Sequence, residues 1–327
     1  MTVPVSTQPA LNIRLLEKLR SAAGPQAVGE LGANRDRVLA DLRTLQAFGF
    51  GLTWLDGDRV AYVGPASRLC PDQIEHELGT VIIGRRIVVW NRLTSTNDLA
   101  ARLGATSGNE GLVVLAEEQT AGRGRRGRSW SAPVARSILM SVALRPPSRL
   151  ADLPWLTALG AVAVAEVVAA AGVEPGRVRI KWPNDVLVGS RKVAGVLVER
   201  GAVVVVGIGL NVCQQPDEFP SAIRSTATSL ALETGRDPLD RSELARALIQ
   251  ALDRHYLRAL QQGPGALNEA WRSRLSALGR LVRLQTPAGT LAGRLADADL
   301  GAGLIIESAD GTTQRVPTLS VLDLDPV

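Results

Sequence analysis

The chain has 327 residues, 46% of them hydrophobic and 21% charged, which suits two or three globular domains rather than a disordered or fibrous protein. Two cysteines exclude a disulfide scaffold or a cysteine-rich zinc module, and two widely separated histidines, His76 and His255, argue against a histidine metal site. A net charge of +5 fits an anionic partner such as nucleic acid, nucleotide or an acidic protein, and fits a merely soluble surface equally well.

Residues 1–10, with their serine, threonines and prolines, read as disordered, and the first twenty residues lack the apolar stretch of a signal peptide. A cytoplasmic location follows as an expectation. The spacing of Leu11, Leu15, Leu16 and Leu19 predicts a helix over Leu11–Ala23, stopped by Gly24-Pro25. A short helix fits Gln26–Leu31. Asn34 then caps a third helix, Arg35–Ala47, whose Val38, Leu39, Leu42 and Leu45 face inward. Strands at Leu52–Leu55 and Arg59–Val63 flank Asp56-Gly57, a hairpin signal. Three short helices and a hairpin are the order of a winged helix-turn-helix, so residues 1–66 read as a DNA-binding unit. Asn34, Arg35, Arg37 and Arg43 are its candidate DNA contacts. Asp36 and Asp41 oppose phosphate, and a helical unit that only packs or dimerises remains an alternative.

Residues 67–80 read as a linker with a short helix at Asp72–Leu78. From Val81 the pattern becomes mixed α and β. Strands are predicted at Arg86–Asn91, Leu112–Ala116 and Ser137–Leu144, and Thr94-Ser95-Thr96-Asn97-Asp98 opens a helix. The longest apolar run, Leu156–Gly172, falls short of the ~20 residues of a membrane span and carries Glu166, so it reads as a buried helix within Pro154–Ala171 and no membrane is expected. Closely spaced strands at Val178–Trp182, Val186–Val188, Val193–Glu199 and Val203–Ile208 predict antiparallel hairpins. Helices follow at Ser242–Gln262 and Ala266–Leu275. From Gly279, strands at Leu281–Gln285, Thr290–Ala296, Leu304–Ser308 and Thr313–Val316 alternate with glycine turns, the pattern of a small β-barrel.

The chemistry concentrates in Gly122-Arg123-Gly124-Arg125-Arg126-Gly127-Arg128-Ser129-Trp130. Glycine lets backbone N–H groups approach a ligand, and arginine offers a planar fork matched to carboxylate and phosphate. The stretch contains G-x-G-x-x-G, but a strand rather than a helix follows, which fails the dinucleotide fingerprint. Without H-R-D or D-F-G it is no protein-kinase loop, and there is no G-K-[ST] phosphate loop. By itself it is either a solvated basic loop or a clamp over a small anion. Two stretches favour the clamp. Lys181-Trp182-Pro183-Asn184-Asp185 brings a cation, an aromatic ring, a carboxamide and a carboxylate to a strand end, and Arg191-Lys192 opens the next strand towards Glu199.

Taken together with Ser95-Thr96-Asn97, Gly207-Ile208-Gly209-Leu210-Asn211 and Ala227-Thr228-Ser229-Leu230, these motifs resemble the biotin–protein ligases from about Val81 onward. The winged helix in front resembles the bifunctional class, in which the ligase is also the repressor of biotin synthesis genes. The segment from Ala22 to Asn34 is shorter than that family's helix-turn-helix, and Val316-Pro317-Thr318-Leu319-Ser320 lacks the usual glycine. The resemblance implies an α+β multidomain chain: a central mixed-sheet ligase domain of class II synthetase type over residues 81–277, and an SH3-like barrel over 278–327.

It further implies that biotin and MgATP form biotinyl-5′-AMP, from which biotin passes to a lysine of the biotin carboxyl carrier protein. Lys192 and Arg125 become the catalytic candidates. Ser95, Thr96, Asn97, Gln119, Arg123, Gly124, Arg125, Lys192 and Gly195 become biotin contacts. Arg128, Trp130, Lys181, Asn184, Asp185 and Asn211 become ATP contacts, with Asp185 a candidate Mg²⁺ ligand. Operator DNA and a homodimer complete the expected partners. Rival readings are a ligase with a purely structural helical domain, a biotinyl-AMP sensor with little transfer activity, and a lipoate ligase, which shares the fold but not the arginine-glycine loop.

Overall fold

The computed structural model describes residues 10–326, so the disorder expected for residues 1–10 falls almost wholly outside them. The N-terminal region starts with α1 (Ile13–Ser21), capped by Asn12, whose side chain accepts from the Leu15 amide at 3.1 Å. The helix expected from Gln26 divides into β1 (Gln26–Ala27) and a single turn, α2 (Val28–Leu31). Pairing wins over helix there because Gln26 and Ala27 meet Val60 and Arg59 at a sheet edge. α3 (Arg35–Phe48) ends on Gly49 at φ 119°, a left-handed cap that suits glycine. β2 (Gly51–Leu55) and β3 (Arg59–Gly64) form the expected hairpin, with Asp56 and Gly57 both at positive φ. Leu16, Leu42, Leu45, Phe50 and Val60 fill a separate core.

Residues 67–80 are packed rather than extended. α4 (Pro71–Glu75) lies among them, and Leu69, Ile74 and Leu78 are buried in the core of the region that follows. That region carries β4 (Ile87–Leu93), α5 (Thr96–Gly104), β5 (Val113–Gln119), β6 (Ser137–Leu144), α6 (Leu153–Ala170), β7 (Val178–Lys181), β8 (Asp185–Val188), β9 (Arg191–Arg200) and β10 (Val204–Asn211). They form a seven-stranded mixed sheet in the order β4-β5-β6-β10-β9-β8-β7. Only β4 and β5 run parallel, because α5 makes the crossover between them; short turns join β7, β8, β9 and β10 into an antiparallel run, and β6 pairs antiparallel with β5 and β10 across longer connections.

Helices α7 (Leu230–Thr234), α8 (Arg241–Gln262) and α9 (Gly265–Arg272) complete the region. α6 is long and apolar enough to cross a membrane, yet it is buried against the sheet, α8 and α9, the core position expected of it. Asp253 of α8, itself buried, accepts from the amides of Val81, Ile82 and Ile83 and so ties the start of the region to this helix.

The C-terminal residues form β11 (Leu281–Thr286), β12 (Gly289–Asp299), β13 (Gly303–Glu307), β14 (Thr313–Val316) and β15 (Asp323–Pro326), an antiparallel sheet ordered β14-β13-β12-β11-β15. Val282, Leu284, Leu295 and Leu304 join the same core as α6. Strand β15 is absent from the sequence reading, because Asp323 and Asp325 depress strand propensity; pairing with β11 supplies what propensity lacks.

Candidate active site

The site lies on one face of β9 and β10 and is closed by the loop that follows β5. Gly195 and Gly209 are cross-strand partners, and the Trp130 indole rests on them. A Cβ on Gly209 would stand 2.4 Å from the indole Cε2, and one on Gly195 would stand 3.1 Å from both the indole and Lys192 Nζ. The ring therefore requires this bare patch of sheet. Two residues along β10, on the same face, Gly207 makes room for Asn97. Lys192 Nζ lies 5.4 Å from the Trp130 ring centroid and 2.7 Å from Asp185 Oδ1, so a cation, a carboxylate and an aromatic face converge. The Trp130 Nε1 donor is buried without a partner among the described residues, the kind of group that a ligand acceptor can satisfy.

Lys192 is positioned by its backbone. The register of β8 against β9 shifts between Val186 and Leu187, leaving an extra residue on β9 beside Lys192. Beyond this bulge the Lys192 amide donates to the Thr226 carbonyl at 2.7 Å, and its carbonyl accepts from the Thr228 amide at 2.9 Å. The segment is held in turn by Glu233, whose buried carboxylate receives Arg191 at 2.6 Å, Arg177 at 2.8 Å and the Thr228 hydroxyl at 2.7 Å. Asn184 at the β7–β8 turn donates to the Val196 carbonyl at 2.9 Å and takes a 3.4 Å contact from Arg125.

The arginine-glycine loop folds back on itself. The Trp130 amide donates to Gly122, the Gly124 amide donates to Arg128, and a helical turn at Arg125–Gly127 makes the tip. Its four arginines have four different surroundings. Arg123 is held by Asp98 and Glu199. Arg126 is held by Asp323 and the Leu322 carbonyl of the C-terminal sheet. Arg128 is exposed. Arg125 is half-buried and makes no ion pair among the described residues; burial, and then the Arg126 charge, push its guanidinium pKa down. A partly desolvated cation with no ion pair among the described residues, facing Asn184, is suited to a ligand anion.

A buried polar network stands next to this cluster. Ser95, Thr96 and Asn97 are buried at the start of α5. Gln119 Oε1 accepts from the Thr96 amide at 2.7 Å and from its hydroxyl at 3.0 Å. Ser141 Oγ donates within a bifurcated contact to Thr96 Oγ1 at 2.7 Å and Asn97 Oδ1 at 2.5 Å, and Asn97 Nδ2 donates to Glu199 at 2.7 Å. Donors and acceptors alternate across a few ångströms, as a ligand carrying both would require.

Three of the expected ligand contacts have other engagements. Lys181 pairs with Asp325 of β15 at 2.9 Å. Asn211 is buried, donating to Thr228 and accepting from Gln214. Arg123 has its charge matched by two carboxylates, which raise its pKa. Trp182 points into the core, 5.9 Å from Trp271 in an edge-on arrangement. Sequence reasoning assigned no role to Ser141, Asp98, Glu199 or Glu233. A serine inside the apolar strand Ser137–Leu144 was a readable signal for the first; the carboxylates carry no local signal, because their partners lie far away in sequence.

Residues 89–213, which contain every segment of this cluster except the Thr226–Glu233 support, match the Biotin/lipoate A/B protein ligase family. The chain is 31% identical over 296 residues to the bifunctional ligase/repressor BirA of Bacillus subtilis, covering 88% of this chain and 90% of that protein. It is 37% identical over 235 residues to the biotin–[acetyl-CoA-carboxylase] ligase of Mycobacterium tuberculosis, covering 68% of this chain and 85% of that one. The fold is similar to that of the biotin protein ligase from Aquifex aeolicus in complex with biotin and ATP, with a TM-score of 0.65, 26% identity, and coverage of 74% of this chain and 100% of that one. The chain belongs to the biotin–protein ligase family.

Proposed function

We propose that this protein is an ATP-dependent biotin–protein ligase whose N-terminal region makes it, in addition, a biotin-responsive transcriptional repressor. The observation that carries the ligase reading is the convergence of Lys192 and Trp130 over the Gly195–Gly209 patch, with Arg125 on Asn184, which donates to the neighbouring Val196 carbonyl, and the Ser95–Asn97 and Gln119 network close by. The first step brings two anions together. A biotin carboxylate oxygen attacks the α-phosphorus of ATP, the bond to the β-phosphate breaks, and pyrophosphate leaves. Lys192 and Arg125 offset that repulsion and the charge that develops on the α-phosphate. Ser95, Thr96, Asn97 and Gln119 suit the ureido head group, and Trp130, Arg128, Asn184 and Asp185 suit the nucleotide. In the second step a neutral acceptor lysine of the biotin carboxyl carrier protein attacks the mixed anhydride. An amide forms and AMP leaves. The loop keeps water from the anhydride.

Magnesium accompanies ATP in such chemistry, and no cage of three ligating side chains exists among the described residues. One or two carboxylates plus phosphate oxygens are an ordinary magnesium environment. Asp185, a quarter exposed and paired with Lys192, fits as the protein's share of a nucleotide-bound ion that would lower the charge on the phosphates.

Residues 1–66 fit a winged helix-turn-helix, residues 81–277 the ligase domain and residues 278–327 an SH3-like barrel. The N-terminal unit has its own core, and α3 leaves Arg37 and Arg43 exposed for phosphates. Asn34 is committed as the α3 cap and Arg35 pairs with Asp58 at 2.7 Å, which favours the alternative of a ligase with a structural helical domain. An alignment with a ligase/repressor covering 88% of the 327 residues leaves out only about 39 of them, so it reaches into the N-terminal region, which supports the repressor reading. A homodimer formed with bound intermediate belongs to the same reading. Pyrophosphate exchange with biotin but not lipoate, and streptavidin detection of a carrier domain, test the ligase. A mobility shift on operator DNA that needs biotin and ATP tests the repressor; no shift at low salt under any condition would leave the helical domain structural.

A further inference from the structure

Glu199 closes β9 at the edge of the site and is shared by two of its parts. Its Oε2 accepts from Asn97 Nδ2 at 2.7 Å and from Arg123 Nη2 at 2.9 Å, and its Oε1 accepts from Arg123 Nε at 3.2 Å. Arg123 is the first arginine of the loop; Asn97 lies in the buried network at the start of α5. Asp98 takes the other edge of the same guanidinium at 3.0 and 2.7 Å, but touches nothing else in the network. Asn97 is further constrained by Ser141 and by Gly207, where any side chain would strike its carboxamide. One carboxylate therefore fixes the orientation of a head-group residue and the root of the covering loop together.

We propose that Glu199 is a positioning residue for biotin: it sets the Asn97 carboxamide with its oxygen inward and, through Arg123, anchors the loop over it. The proposal rests on the biotin-ligase reading for its ligand, while the anchor itself requires no ligand. It separates the arginines by task. Arg123 serves the carboxylates and holds the loop, and Arg125 is left for the reacting anions. Loss of the Glu199 charge should loosen the loop and blur the head-group site at once, whereas loss of Asp98 should loosen the loop alone.

The test compares Glu199→Gln and Asp98→Asn in the full-length chain with two readouts. The first is limited trypsin cleavage within residues 123–128, whose four arginines make the loop its own reporter. Both variants should be cut about fivefold faster than the wild type where brief local opening controls cleavage. The second is biotin-dependent pyrophosphate exchange. Glu199→Gln should raise the KM for biotin about tenfold with kcat within about twofold, the mark of lost binding without lost chemistry, and Asp98→Asn should move KM by less than about threefold. Wild-type cleavage in Glu199→Gln, or equal KM shifts in the two variants, would overturn the proposal. If Glu199→Gln does not fold, Glu199→Asp should move both readouts in the same direction by a smaller factor, since it keeps the charge but withdraws it by one methylene from Asn97 and Arg123, and wild-type values in both readouts would overturn the proposal. Absence of exchange in the wild type would sink the ligase reading, while the cleavage result would still decide the anchor.

Discussion

At Gly209 the absence of one carbon atom determines where an indole can lie. Gly209→Ala should lift Trp130 from the sheet and raise the KM for ATP by roughly tenfold, or about 1.4 kcal/mol, in pyrophosphate exchange. An unchanged KM would show that the ring does not meet the nucleotide. Lys192→Gln removes the cation nearest Asp185 and keeps most of the volume. Exchange should fall by about 100- to 1000-fold, the usual effect of losing one donor to a developing charge. Arg125 forms no ion pair among the described residues, so Arg125→Gly should leave the loop's tethers at Arg123 and Arg126 intact while weakening its grip on the intermediate. Faster release of biotinyl-AMP, followed as labelling of bystander proteins, is the expected outcome.

Between elements, buried charge does the joining. Arg241, at the start of α8, pairs with Glu117 of β5 at 2.7 Å and also donates to the carbonyls of Ser137 and Ser67. Both side chains are under 10% exposed, so removing one partner strands the other. Arg241→Ala should cost about 3–5 kcal/mol in chemical unfolding, the range for breaking a buried pair. The contact between α6 and α8 is different in kind. Glu166 accepts from His255 at 2.8 Å and from Arg254 at 2.6 Å, and these bonds, led by His255, hold its carboxyl pKa below the ordinary range. A lowered folded-state pKa gives a contribution that is complete above the unfolded pKa and lost as pH falls through the folded one. The stability gap between wild type and Glu166→Gln should therefore narrow between about pH 5 and pH 3.

The whole molecule turns on residues 67–80. They join two cores: Cys70 packs with the N-terminal cluster, and Leu69, Ile74 and Leu78 pack with the central one. Ion pairs from Arg20 to Glu243 and the Leu11 amide bond to Asp72 add to this junction. A chain beginning at residue 67 should keep pyrophosphate exchange and fold, because it retains every residue packed on the central core. A chain beginning at residue 81 should lose solubility, because it uncovers Ile83 and α8. Soluble expression and thermal melting of the two truncations separate these outcomes.

The sequence by itself determined what local pattern and chemistry determine: helix α1, helix α3 with its Asn34 cap, the Asp56-Gly57 hairpin, the buried α6, and the loop with its strand exit. Adjacent residues carry those signals. Arg125, Lys192 and Trp130 stood out as candidate site residues only through the resemblance of several motifs taken together, not through the spacing of any one of them. Only the tertiary structure decided that Arg123 and Arg126 pair with carboxylates, that Lys181 faces β15, and that residues 67–80 are packed. Each of those outcomes depends on a carboxylate or an apolar surface from a distant part of the chain. An ion pair formed across 76 residues, such as Arg123 with Glu199, leaves no periodicity to read.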